Sequence, residues 1–100
     1  MNIGSTIRTL RKSKFPKLTQ SKFAKSVGTT QTYLSQIECG NKKPSFGILE
    51  SISKELDVPL PILSWLSIEE SDVKKEKLEI FKLLRPTIDN MIYELINETK

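Results

Sequence analysis

The chain contains no histidine. That absence removes imidazole acid–base chemistry, Ser-His and Cys-His nucleophile pairs and most zinc sites together. A single cysteine, Cys39, cannot close an internal disulfide and fits a reducing compartment. We read it as an incidental small residue rather than a redox sensor. No apolar run approaches the ~20 residues needed to span a bilayer, and no apolar block follows Arg8, so neither a signal peptide nor a membrane partner is read. A cytoplasmic location is expected. Glu69-Glu70 and Glu76/Glu79 are paired acids only as helix surfaces carry them. No enzyme, no cofactor and no metal is expected from this composition.

Acid is also scarce where base is abundant. Residues 1–44 hold nine basic side chains against Glu38 alone, a net charge of +8, whereas residues 45–100 hold seven basic and eleven acidic ones, −4. A basic half of this kind is the electrostatic footprint of a nucleic-acid binder, or simply a solvated lysine surface. One hundred residues with 37% hydrophobic content make one globular domain, or one small domain with an appendage.

The informative stretch runs from Thr19 to Glu38. Phe23, Ala24 and Val27 form one apolar stripe at helical spacing, and Leu34 and Ile37 form a second. Gly28 between them supplies the positive φ with which a chain leaves a helix abruptly. Thr19 and Thr30 stand where an N-cap oxygen satisfies the free N–H groups of the following helix. With the apolar positions buried, Gln31, Thr32, Ser35 and Gln36 remain outside. The pattern is a helix-turn-helix whose 31–38 segment is the recognition helix.

Around it, Ile3–Lys14 reads as a first helix, ended by Pro16, which disfavours the α conformation at Phe15. Cys39 to Pro44 is a polar turn-rich loop. Ser45 caps a fourth helix whose buried side is expected to carry Phe46, Leu49, Ile52, Ser53 and Leu56. Pro59 and Pro61 open a fifth, where a missing N–H costs little.

Gln20 to Gly28, Gln31 to Glu38, Gly40, Pro44-Ser45 and Leu56-Asp57-Val58 together resemble the Cro/repressor type of helix-turn-helix, the large lambda-repressor-like (XRE) family of bacterial and phage regulators. The resemblance covers about residues 3–67. It implies an all-α fold: a five-helix lambda-repressor-like DNA-binding domain over 1–67, with a C-terminal helical extension over 68–100. Two departures stand out. The loop between the first two helices is longer than usual by about two residues, and the chain runs some thirty residues past the five-helix unit.

Position by position, the resemblance implies that Gln31 reads bases, its amide accepting from adenine N6 and donating to N7. Thr32 and Gln36, one turn apart, face the same groove. Gln20 resembles a residue that clamps a phosphate, and Thr30, Tyr33, Ser35, Asn41, Lys42 and Lys43 complete the expected backbone contacts. Tyr33 has packing against the second helix as its alternative role. Arg11 and Glu38 match positions that the family commonly pairs as a structural ion pair.

The tail is acidic and amphipathic. Its apolar residues recur at threes and fours, and Pro86 interrupts them, so two helices are expected, near Val73–Leu84 and Pro86–Asn97. Trp65, Phe81, Ile88, Met91, Ile92 and Leu95 are the candidates for dimerisation or for packing within one chain. The function implied is a sequence-specific DNA-binding transcriptional regulator, a homodimeric repressor reading an inverted repeat in double-stranded DNA. The alternatives are the antitoxin of a toxin–antitoxin pair, or a protein-binding helix-turn-helix module; a protein partner through the C-terminal extension is a further expectation.

Overall fold

The structure, a computed structural model, describes residues 1–96. Six α-helices appear in chain order: α1 Ile3–Lys14, α2 Gln20–Ser26, α3 Gln31–Glu38, α4 Phe46–Leu56, α5 Leu60–Leu66 and α6 Leu78–Ile96. Short 3₁₀ turns at Glu70–Asp72 and Lys75–Lys77 lead into α6, and no strand occurs among the described residues.

Local chemistry sets the helix starts. The hydroxyls of Thr19, Thr30 and Ser45 accept from the backbone N–H groups of Lys22, Tyr33 and Ile48, and the Asn2 side chain does the same for Ser5. Helix ends follow from backbone sign. Gly28 and Gly40, just past α2 and α3, both have φ of +84°, a region an L side chain enters only with strain.

α1 packs against α3, α4 and α5, and α2 against α3. Ile7, Leu10, Phe23, Ala24, Val27, Leu34, Ile37, Ile52, Leu56, Val58, Leu63 and Ile96 form the buried core. Burying each large aliphatic or aromatic side chain favours the fold by about 1.5–3 kcal/mol. One contact positions the recognition helix directly. α1 crosses so near the end of α3 that a methyl group on Gly4 would overlap the Ile37 carbonyl oxygen.

Two expectations are corrected. Phe46 does not lie on the buried side of α4 but is exposed at its first turn, since it precedes the point where the helix meets the core. The tail is not two helices split at Pro86: α6 runs unbroken through that residue. Proline there removes one backbone hydrogen bond, a cost that tertiary packing outweighs here. Asn97, the expected last residue of the second tail helix, lies outside the described residues.

That packing is specific. The Trp65 indole donates to Asp89 Oδ1 at 2.7 Å, and its ring meets Phe81 at a centroid separation of 5.9 Å. The Arg85 guanidinium sits 5.3 Å from both ring centroids, donates to Asp89 at 2.9 Å, and donates to the carbonyls of Ile68 and Leu66. Ile92 packs on the core and Ile96 enters it, while Lys14 donates to the Ile96 carbonyl at 2.8 Å.

Candidate nucleic-acid interface

α3 divides its residues by face. Leu34, Ile37 and Glu38 are buried, Gln31 and Thr32 are exposed, and Tyr33, Ser35 and Gln36 are half-buried. A buried carboxylate needs a partner. Glu38 has one: Arg11 donates from Nε at 2.7 Å and from Nη2 at 2.9 Å, with both side chains almost entirely shielded from water.

Gln20 joins this pair. Its Nε2 donates to Glu38 Oε1 at 2.9 Å, and its Oε1 accepts from Gln31 Nε2 at 3.4 Å. The order of atoms is dictated by the carboxylate, which accepts and never donates when ionised. The Gln20 amide nitrogen must therefore point inward and its oxygen outward. Gln31 can meet that oxygen only as a donor. What remains free on Gln31 is one N–H and the carbonyl oxygen, the donor–acceptor pair that matches adenine N7 and N6. Gln20 itself keeps a second N–H.

The loop after α3 is tied to the same helix. The backbone N–H groups of Asn41 and Lys42 donate to the Gln36 carbonyl at 2.9 and 3.2 Å, and the Tyr33 hydroxyl donates to the Lys43 carbonyl at 3.3 Å. The side chains of Asn41, Lys42 and Lys43 remain exposed, as does Thr30 at the head of the helix. Gln20, Thr30, Gln31, Thr32, Tyr33, Ser35 and Gln36 thus gather on α2 and α3, with Asn41 to Lys43 beside them. Trp65 of α5 and Phe81 of α6 lie elsewhere, ring against ring; Ile92 packs on the core, Ile88 is half-buried, and Met91 and Leu95 project from α6 into solvent.

Sequence reasoning missed the hydrogen bond from Gln20 to Glu38. The signal was present, for a buried acid facing a basic helix has spare acceptor capacity, but two residues eighteen apart carry no local mark of their contact. It also missed the Tyr33–Lys43 link. Among the described residues no cluster of three or more His, Cys, Asp or Glu could hold a metal, and no helix is long and apolar enough to cross a membrane.

A short helix capped by Thr30, crossed by a second and presenting polar side chains on one face, defines the molecule as a helix-turn-helix protein. A family model described as Helix-turn-helix matches residues 7–63. The chain is also 36% identical, over 67 residues, to the "ImmF control region 10 kDa protein" of Bacillus phage phi105, a match spanning 67% of this chain and 72% of that one. No solved structure matches. The chain belongs to the XRE-type helix-turn-helix family, and it is a DNA-binding regulator of that family.

Proposed function

We propose that the protein is a homodimeric repressor that reads an inverted repeat in double-stranded DNA, each copy laying α3 in one major groove. The observation that supports this most directly is the chain of contacts from Arg11 through Glu38 and Gln20 to Gln31. It leaves Gln31 with the hydrogen-bonding pattern of an adenine reader, oriented through Gln20, whose own amide is fixed by the buried Arg11–Glu38 pair.

Thr32 and Gln36 read neighbouring bases. The backbone is held by Gln20 with its second N–H, by Thr30, Tyr33 and Ser35, and by Asn41, Lys42 and Lys43 on the adjoining loop. Residues 1–67 form the DNA-binding unit and residues 68–100 the extension that serves dimerisation or packing. Two subunits are required on physical grounds, because one helix in one groove specifies only a few base pairs, and two half-sites ~34 Å apart multiply the discrimination. The relative from phage phi105 carries "control region" in its name, which agrees with a regulatory role.

Selection of binding sites from a random duplex library tests the reading. The expected product is an inverted repeat with an adenine in each half-site at a position that loses its preference in the Gln31→Ala protein. Recovery of a single unrepeated half-site, or of duplexes with no shared sequence, overturns it.

A further inference from the structure

The loop that follows α3 is fastened to that helix at two points. The first is the Gln36 carbonyl, which accepts from the backbone N–H groups of Asn41 and Lys42. The second is Tyr33, whose hydroxyl donates to the Lys43 carbonyl at 3.3 Å. Between the Gln36 anchor and the Ser45 cap of α4, no other hydrogen bond holds Lys43 or Pro44 among the described residues. Pro44 has no N–H, so the Lys43 carbonyl is the one hydrogen-bonding group of the peptide unit they share. Without the Tyr33 hydroxyl, that end of the loop would be tied to α3 by nothing but chain connectivity.

The bonding capacity of the hydroxyl decides what else Tyr33 can do. A phenol has one proton to donate, and its lone pairs only accept. An ionised phosphodiester offers acceptors and no donor, so Tyr33 could touch one only with the proton already given to Lys43. The ring is half-buried against the core, which limits its swing from one acceptor to another. Lys42 and Lys43, by contrast, are exposed and join no ion pair among the described residues. They carry the charge of this loop, and its attachment to α3 sets where they stand relative to Gln31, Thr32 and Gln36.

We propose that Tyr33 is a positioning residue for DNA binding. Its hydroxyl fastens the 41–43 loop to the recognition helix, so that the lysines meet the phosphates in register with the reading side chains, and it donates to no phosphate itself. The inference rests on the DNA-binding reading above and states how Tyr33 serves it. The two roles open to Tyr33 leave different marks. A lysine at a phosphate displaces a counterion, whereas a neutral phenol displaces none.

Tyr33→Phe keeps the ring and removes the hydroxyl. Its first readout needs no DNA: backbone NMR order parameters over 41–43 are expected to fall in the free full chain, while those of α3 match the wild type. A loop as well ordered in the variant overturns the proposal. The second readout is titration of a labelled mixed-sequence duplex at several salt concentrations. Tyr33→Phe is expected to weaken binding roughly 3- to 10-fold at low salt and to make the slope of log affinity against log salt shallower. Weakening with no change of slope is the mark of a direct phenol–phosphate bond and overturns the proposal. The third is a mutant cycle with Lys42→Ala/Lys43→Ala, which leaves the Lys43 carbonyl in place. In that background Tyr33→Phe is expected to change affinity by less than about 2-fold, because the side chains it acts through are gone. A loss of full size there again means direct contact. A wild-type chain that binds no duplex at low salt fails the DNA-binding reading itself, whatever the order parameters show.

Discussion

Arg11 and Glu38 meet at 2.7 Å beneath the recognition helix, one from α1 and one from the last residue of α3. Such a pair adds little net stability against its desolvation, but breaking it leaves the surviving charge buried alone. Glu38→Ala is therefore expected to cost about 3–5 kcal/mol and to lower the melting temperature by roughly 15 °C or more. Glu38→Gln is milder in stability and more informative for binding. Its amide can donate as well as accept, so the Gln20 amide is no longer forced to present its oxygen to Gln31. Discrimination for adenine at the Gln31 position should fall more than total affinity does, measured as the ratio of dissociation constants for the two bases. An unchanged ratio would separate the ion pair from readout.

Gln31 and Lys42 should fail in different ways. Gln31→Ala removes a base interaction worth ~1–3 kcal/mol at one position per half-site and leaves the salt dependence of binding intact. Lys42→Ala weakens all duplexes alike and reduces the slope of log affinity against log salt by about 1 for each phosphate left without its lysine. Titrations on matched and substituted duplexes at several salt concentrations distinguish them. Uniform weakening in both variants would erase the division between readers and positioners.

Much of this fold is local, and local features are legible. The caps at Thr19, Thr30 and Ser45 follow from a hydroxyl placed before an apolar helical stripe, and the turns at Gly28 and Gly40 from the need for positive φ. The bounds of α1 follow from its stripe and from Pro16. What escaped was non-local. Pro86 reads as a break because intrinsic propensity says so, whereas Arg85, packed on Trp65 and Phe81, holds the helix on α5 on either side of it. Phe46 reads as core because it is aromatic and in register, but a helix's first turn can overhang the body it packs on. Within the candidate site, Gln31 and Gln36 were visible as polar residues on the outer face. The orientation of the Gln31 amide was not, because it is imposed by Glu38 through a residue on a different helix.

Two glycines in helices are expected to respond oppositely to the same substitution. Alanine at an unobstructed helical site stabilises by about 1 kcal/mol relative to glycine. A methyl group on Gly47 meets nothing within 4 Å, so Gly47→Ala should raise the melting temperature. At Gly4 the methyl group would run into the Ile37 carbonyl oxygen, a backbone atom that cannot turn aside. Gly4→Ala should destabilise by about 1–3 kcal/mol, the cost of overpacking, despite its better propensity. Because the obstructing atom belongs to α3, operator affinity should fall with it. Thermal melts of the two variants side by side check the sign, and a stabilised Gly4→Ala protein would remove the close crossing from the account.

The Arg85 clamp predicts a local rather than a global failure. Removing its side chain takes two donors from the carbonyls of Leu66 and Ile68 and the cation that lies against both Trp65 and Phe81, and leaves Asp89 with the indole N–H. Together these changes amount to about 2–4 kcal/mol, less than the stability of a typical domain but enough to loosen one helix. Arg85→Ala should raise amide exchange across 78–96 while α1 to α5 stay protected. Trp65 is the chain's one tryptophan, so its fluorescence should shift to the red as the ring gains water. Arg85→Lys should not restore the wild-type spectrum, because an ammonium cannot lie against two rings and serve two carbonyls and a carboxylate at once. If amide exchange rose equally over the whole molecule, α6 would have to be counted as part of the cooperative core instead of a helix fastened to it.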